Sequence, residues 1–96
     1  VQHYVVLIKW TDQGIRNLKE SPKRAEAARK LAESEGGKLT LFYTMGRYDL
    51  VGIGEAKDDD TMNRVLLRIG TLGNVRTETL KAMTEADAAK MIGKLP

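Results

Sequence analysis

The stretch from Lys38 to Glu55 limits the possible folds more than any other part of the chain. Lys38-Leu39-Thr40-Leu41-Phe42-Tyr43 and Tyr48-Asp49-Leu50-Val51-Gly52-Ile53 flank Gly46-Arg47, which predicts two strands folded back on each other. Gly as the first of two central residues suits a type II′ turn, where that position needs φ > 0. The register then sets Met45 opposite Tyr48, Thr44 opposite Asp49, Tyr43 opposite Leu50, Phe42 opposite Val51 and Lys38 opposite Glu55. Alternation sorts these residues onto two faces. One face carries Leu39, Leu41, Tyr43, Met45, Tyr48 and Leu50, with Gly52 and Gly54. The other carries Phe42, Val51 and Ile53 between the Thr44–Asp49 and Lys38–Glu55 pairs. Both centres are apolar, so both faces are expected to be covered.

Upstream, His3-Tyr4-Val5-Val6-Leu7-Ile8-Lys9-Trp10 predicts a first strand. Its continuous apolar middle suggests burial on both sides. Thr11-Asp12 can cap a short helical turn, and Ser21-Pro22 signals a helix start with Ser as N-cap. Ala25, Ala28, Leu31 and Ala32 repeat at helical spacing, with Lys23, Arg24, Arg29 and Lys30 outside, until Gly36-Gly37 ends the helix. Asp58-Asp59-Asp60 places negative charge at the start of the next helix, where the backbone dipole favours it. Met62, Val65, Leu66 and Ile69 form that helix's apolar stripe. Asn74 to Ala82 alternates and is rich in threonine, predicting a fourth strand. Thr84 can cap a last helix, packed down by Ala86, Ala89 and Met91 or Ile92.

The expected order is therefore ferredoxin-like β-α-β-β-α-β, a four-stranded antiparallel sheet with a C-terminal helix, in one domain over residues 1–96. Two helices cover only one sheet face. A second apolar face demands a partner, and the economical solution is a second copy of the sheet, pairing as a dimeric α/β barrel. The expected partners are thus the chain itself, as a homodimer or a multiple of dimers, and a small organic ligand held between the sheets. Neither nucleic acid nor a membrane is expected.

Composition narrows the function classes. A net charge of +3 spread over 96 residues lacks the basic patch typical of nucleic-acid binders. Without cysteine there is neither a disulfide framework nor thiolate chemistry. No signal peptide or long apolar span is evident, so a cytoplasmic location is expected. No Gly-x-Ser-x-Gly elbow, phosphate-binding Gly loop or HExxH helix occurs. His3 is the sole histidine and has no companion ligands. The acidic run lacks the Gly and distal Glu of a calcium loop. Neither a metal nor a cofactor is expected.

Five residues stand out as candidate site residues. Asp49 could serve as a general base at the mouth of the cavity between the sheets, or it could tie down the turn or bond Thr44. Tyr48, Arg76, Trp10 and Thr44 are candidate ligand contacts. Arg76 can clamp a carboxylate bidentately or form an ion pair. Tyr48 and Trp10 can equally serve in packing. Two function classes follow: a small-molecule-binding or oligomerisation module, and a cofactor-free enzyme using Asp49 with Arg76 or Tyr48 at a developing oxyanion.

Thr11-Asp12-Gln13-Gly14, Ser21-Pro22-Lys23-Arg24, Gly46-Arg47-Tyr48-Asp49 and Gly73-Asn74-Val75-Arg76-Thr77 together resemble the GYD domain family. The motifs occur in order and span nearly the whole chain. The resemblance implies a small bacterial or archaeal protein of the dimeric α/β-barrel type. Relatives of that wider group include cofactor-free monooxygenases, lactone isomerases and small-molecule sensors. That is an analogy of fold, and it assigns no catalytic role to a residue.

Overall fold

A computed structural model describes residues 1–96. The elements run β1 (Gln2–Trp10), α1 (Asp12–Arg16), a 3-10 turn (Leu18–Glu20), α2 (Ser21–Ser34), β2 (Lys38–Tyr43), β3 (Leu50–Ala56), α3 (Asp59–Thr71), β4 (Val75–Ala82) and α4 (Glu85–Ile92). The four strands are antiparallel in the order β2-β3-β1-β4. This is the ferredoxin-like arrangement expected from the order of elements.

Helices α2 and α3 cover one face of the sheet. Tyr4, Val6 and Ile8 of β1 alternate into that face and are buried with Leu39, Leu50 and Ala56. Ala32 of α2 and Val65 of α3 meet over Leu39, so small and β-branched residues let the two helices approach the sheet. Met62 closes the other end over Tyr4 and Ala56. Gly54 makes that contact possible, because a Cβ there would stand 2.9 Å from the Met62 methyl carbon.

The sheet does not close into a barrel. It is open, with β2 and β4 as its two edges, and four strands are too few to wrap round a filled interior. No dimer is shown either. The expected dimeric α/β barrel is therefore corrected to an open four-stranded sheet. The first strand is likewise covered on one side only. Val5 and Leu7 are half-buried on the uncovered face, because the continuous apolar run hides an alternation between two different apolar surfaces.

Three local expectations also change. The β2–β3 register is as expected, with Tyr43 opposite Leu50 and Lys38 opposite Glu55, yet the connection is wider than a two-residue turn. The strands run to Tyr43 and from Leu50, the Thr44 amide still donates to the Asp49 carbonyl at 2.9 Å as the expected pairing requires, and Met45 to Tyr48 form the link, with Gly46 at φ 105°. Met45 is 99% exposed in it. Ser21 does not cap α2 with its side chain, because the 3-10 turn runs directly into the helix, and its hydroxyl lies 2.8 Å from that of Tyr43. Finally, α4 is capped by Thr84 as expected but buries no residue. Ala86, Ala89, Met91 and Ile92 stay exposed because the helix leaves the body after β4.

Candidate functional site

The uncovered sheet face carries two cross-strand rows. Phe42, Val51, Leu7 and Glu78 lie side by side across all four strands, and Thr40, Ile53, Val5 and Leu80 form the next row. Phe42 is 57%, Ile53 45% and Leu80 54% exposed. The apolar centre is thus contiguous and in contact with solvent. His3, Glu55 and Lys38 border it at one end, and Lys9 and Arg76 face each other at the opposite end.

A polar rim is built at that second end. Tyr48 leaves the β2–β3 connection, and its hydroxyl donates to the Glu78 carboxylate at 3.3 Å. Two cations lie over the Tyr48 ring, the Lys9 ammonium 5.6 Å and the Arg47 guanidinium 5.7 Å from its centroid. Each such contact is attractive, worth about 0.5–1 kcal/mol where exposed. Tyr48 therefore belongs to the uncovered face rather than beside Met45 and Tyr43. The loop's width frees it from the alternation that a tight turn would have imposed.

The other candidate residues lie nearby in different settings. One Asp49 carboxylate oxygen accepts the Trp10 backbone amide at 2.9 Å, while the Asp49 amide donates to the Ile8 carbonyl. The Thr44 hydroxyl donates to the Tyr48 carbonyl at 2.6 Å. Arg76 is exposed and forms none of the ion pairs in the chain. The Trp10 ring turns towards the helices and sits 6.4 Å from that of Tyr43. Asp49, Thr44 and Tyr48 are thus brought together at one end of the sheet, with Arg76 beside them across Lys9. Trp10 points to the opposite side.

Two features were not singled out from the sequence. Lys9 and Glu78 complete the rim, and they meet Tyr48 because the β2–β3 connection folds over β1 and β4. On the helix side, the Tyr4 hydroxyl donates to Asp59 at 2.5 Å and Lys81 reaches the same carboxylate at 2.8 Å. Burial, followed by that acceptor, pushes the Tyr4 phenol up to about 12. Lys81, followed by Tyr4, holds Asp59 below the ordinary carboxylate range. The cluster ties the N-terminus of α3 to β1 and β4. No group of three or more His, Cys, Asp or Glu side chains is arranged to hold a metal ion. No helix is long and apolar enough to cross a membrane.

The segment that opens α1 and the turn that leads into β4 meet at this end of the sheet. The Thr11 hydroxyl donates to the Gly73 carbonyl at 2.6 Å, and the Thr11 amide to Asn74 at 3.0 Å. The GYD domain model matches residues 4–92. A Thermus thermophilus protein named glutamine synthetase and cystathionine beta-lyase binding protein is 33% identical over 86 residues, 88% of this chain and 90% of its own. Among solved structures, the leucine response regulatory protein LrpA of Mycobacterium tuberculosis aligns with a TM-score of 0.65 at 20% identity, over 86% of this chain. This chain spans only 51% of that protein, and the likeness is one of fold. TTHA0845 of Thermus thermophilus aligns with a TM-score of 0.58 at 26% identity, over 88% of this chain and 95% of its own.

Proposed function

The chain belongs to the GYD domain family, and on that premise we propose that it is a cytoplasmic docking module that binds a metabolic enzyme through its uncovered sheet face. The observation that carries this reading is the exposure of Phe42, Ile53 and Leu80 around half-buried Val5, Leu7 and Val51. An apolar centre with a polar rim is the anatomy of a protein interface. Full burial of each such side chain is worth about 1.5–3 kcal/mol, and a few anchors of this kind dominate binding. Tyr48 and Arg76 supply rim contacts that orient the partner. The Thermus relative's name lends support, and it makes glutamine synthetase and cystathionine beta-lyase the first partners to try.

The enzyme reading, with Asp49 as general base, draws less support, because that carboxylate already accepts the Trp10 amide. Self-association, which the sequence reading puts on the open sheet face, finds a separate exposed surface in α4. Its exposed Met91 and Ile92 would gain cover from another copy, and replacing both with Ser should then lower the subunit number in sedimentation.

Isothermal titration calorimetry against the two purified enzymes from the same source tests the docking reading. Saturable binding to at least one is expected. Phe42→Asp and Leu80→Asp should abolish it, whereas Leu67→Asp, on the exposed side of α3, should not. Absence of binding to both enzymes, or unchanged binding by the sheet variants, would overturn the proposal.

A further inference from the structure

Between α2, α3 and the covered face of the sheet lies a cavity of about 670 Å³. It is on the opposite side of the sheet from the docking face and does not depend on it. The helices meet at Ala32 and Val65. Towards the Trp10 end, the apolar side chains that α2 offers are the small Ala25 and Ala28. Leu50, Leu66 and Val75 line the space together with Trp10. Trp10, Leu66 and Val75 are only partly buried around the buried Val6, Ile8 and Leu50, so the core is incomplete at this end. The volume falls within the range of small-molecule sites, about 300–1,000 Å³.

The charges around the cavity are all of one sign. Arg24 and Lys30 of α2 and Arg68 of α3 are its only charged lining residues, and no Asp or Glu faces it. Lys30 is paired with Glu26 at 3.1 Å. Arg24 donates to the Gly14 and Asn17 carbonyls, which leaves its charge without a carboxylate. Arg68 forms none of the ion pairs. Two uncompensated guanidinium groups therefore flank an apolar space, one on each helix. An apolar chain can fill the space while its carboxylate stays at the edge, where Arg recognises it well.

We propose that this cavity binds an aliphatic monocarboxylate, with its chain between α2 and the sheet and its carboxylate at Arg68 and Arg24. Trp10 is the only tryptophan and lines the cavity, so its emission reports occupancy directly. The experiment titrates the full chain with decanoate, decanol and decyltrimethylammonium. Decanoate should give a saturable change in Trp10 emission, and the other two should bind at least about tenfold more weakly. Arg68→Gln, at an exposed position, should weaken decanoate about threefold to fivefold and leave decanol unchanged. Ala28→Leu should abolish the response while the protein still unfolds cooperatively. No saturable response to decanoate, equal binding of the cationic analogue, or decanoate binding unaffected by Arg68→Gln would each overturn the proposal.

Discussion

The Asp49 carboxylate accepts the Trp10 amide at 2.9 Å and so completes the strand pairing at the point where the backbone of β3 turns away. The Asp49 amide still bonds Ile8, but no further carbonyl is available to Trp10, and the side chain takes its place. A carboxylate acceptor of this kind contributes about 1.5–3 kcal/mol. Asp49→Ala should cost about that much in urea unfolding, and Asp49→Asn, which keeps an acceptor oxygen, clearly less. Equal stability of wild type and Asp49→Ala would contradict this role.

Gly14 is fixed by the absence of a side chain. A Cβ there would lie 2.0 Å from the backbone oxygen of Asn74, on the segment that Thr11 and Gln13 tie down. Backbone cannot step aside as a flexible side chain can. Gly14→Ala should therefore destabilise the chain by at least about 1–3 kcal/mol, read from the denaturation midpoint. Gly70→Ala, with nothing within 4 Å, serves as the tolerated control.

The Tyr4–Asp59–Lys81 cluster makes stability depend on pH at both extremes. Tyr4 rises from 10.0 to about 12 on folding, so its contribution is complete below pH 10 and is lost as pH rises towards 12. Asp59 and Asp58 fall below 3.8 on folding; the causes are Lys81 then Tyr4 for Asp59, and Thr61 for Asp58. Their contributions are present above pH 3.8 and are lost as pH falls through the lower folded values. Tyr4→Phe should flatten the alkaline limb of a stability profile, and Asp59→Asn part of the acid limb. Unchanged limbs would refute the assignment.

The element order, the β2–β3 register, the acidic start of α3 and the Thr84 cap were legible because each rests on local chemistry. Alternation fixes register through side-chain direction alone, and a wider loop left Phe42 opposite Val51 all the same. The loop's own shape was not legible, since Gly46 accommodates either a tight turn or the broader link observed. Strict alternation through a tight turn therefore assigns Tyr48 to the opposite face from the one it occupies. The cover of Val5 and Leu7 is not encoded locally, because an apolar strand looks the same whether its second face meets a helix or a surface left open. At the candidate site, Tyr48 and Arg76 were visible as residue types. Lys9 and Glu78 became visible only through the folding of the β2–β3 connection over β1 and β4, which nothing local encodes.

Side-chain methyl NMR offers the most direct test of the docking claim, because neighbours along one strand report opposite faces. Val5, Leu7, Ile53 and Leu80 sample the uncovered face, and Val6, Ile8, Leu39 and Leu50 the helix-covered one. Addition of a bound partner enzyme should shift or broaden the first set and leave the second in place. Perturbation confined to the second set, with the first unchanged, would contradict the assignment of the open sheet face as the binding surface.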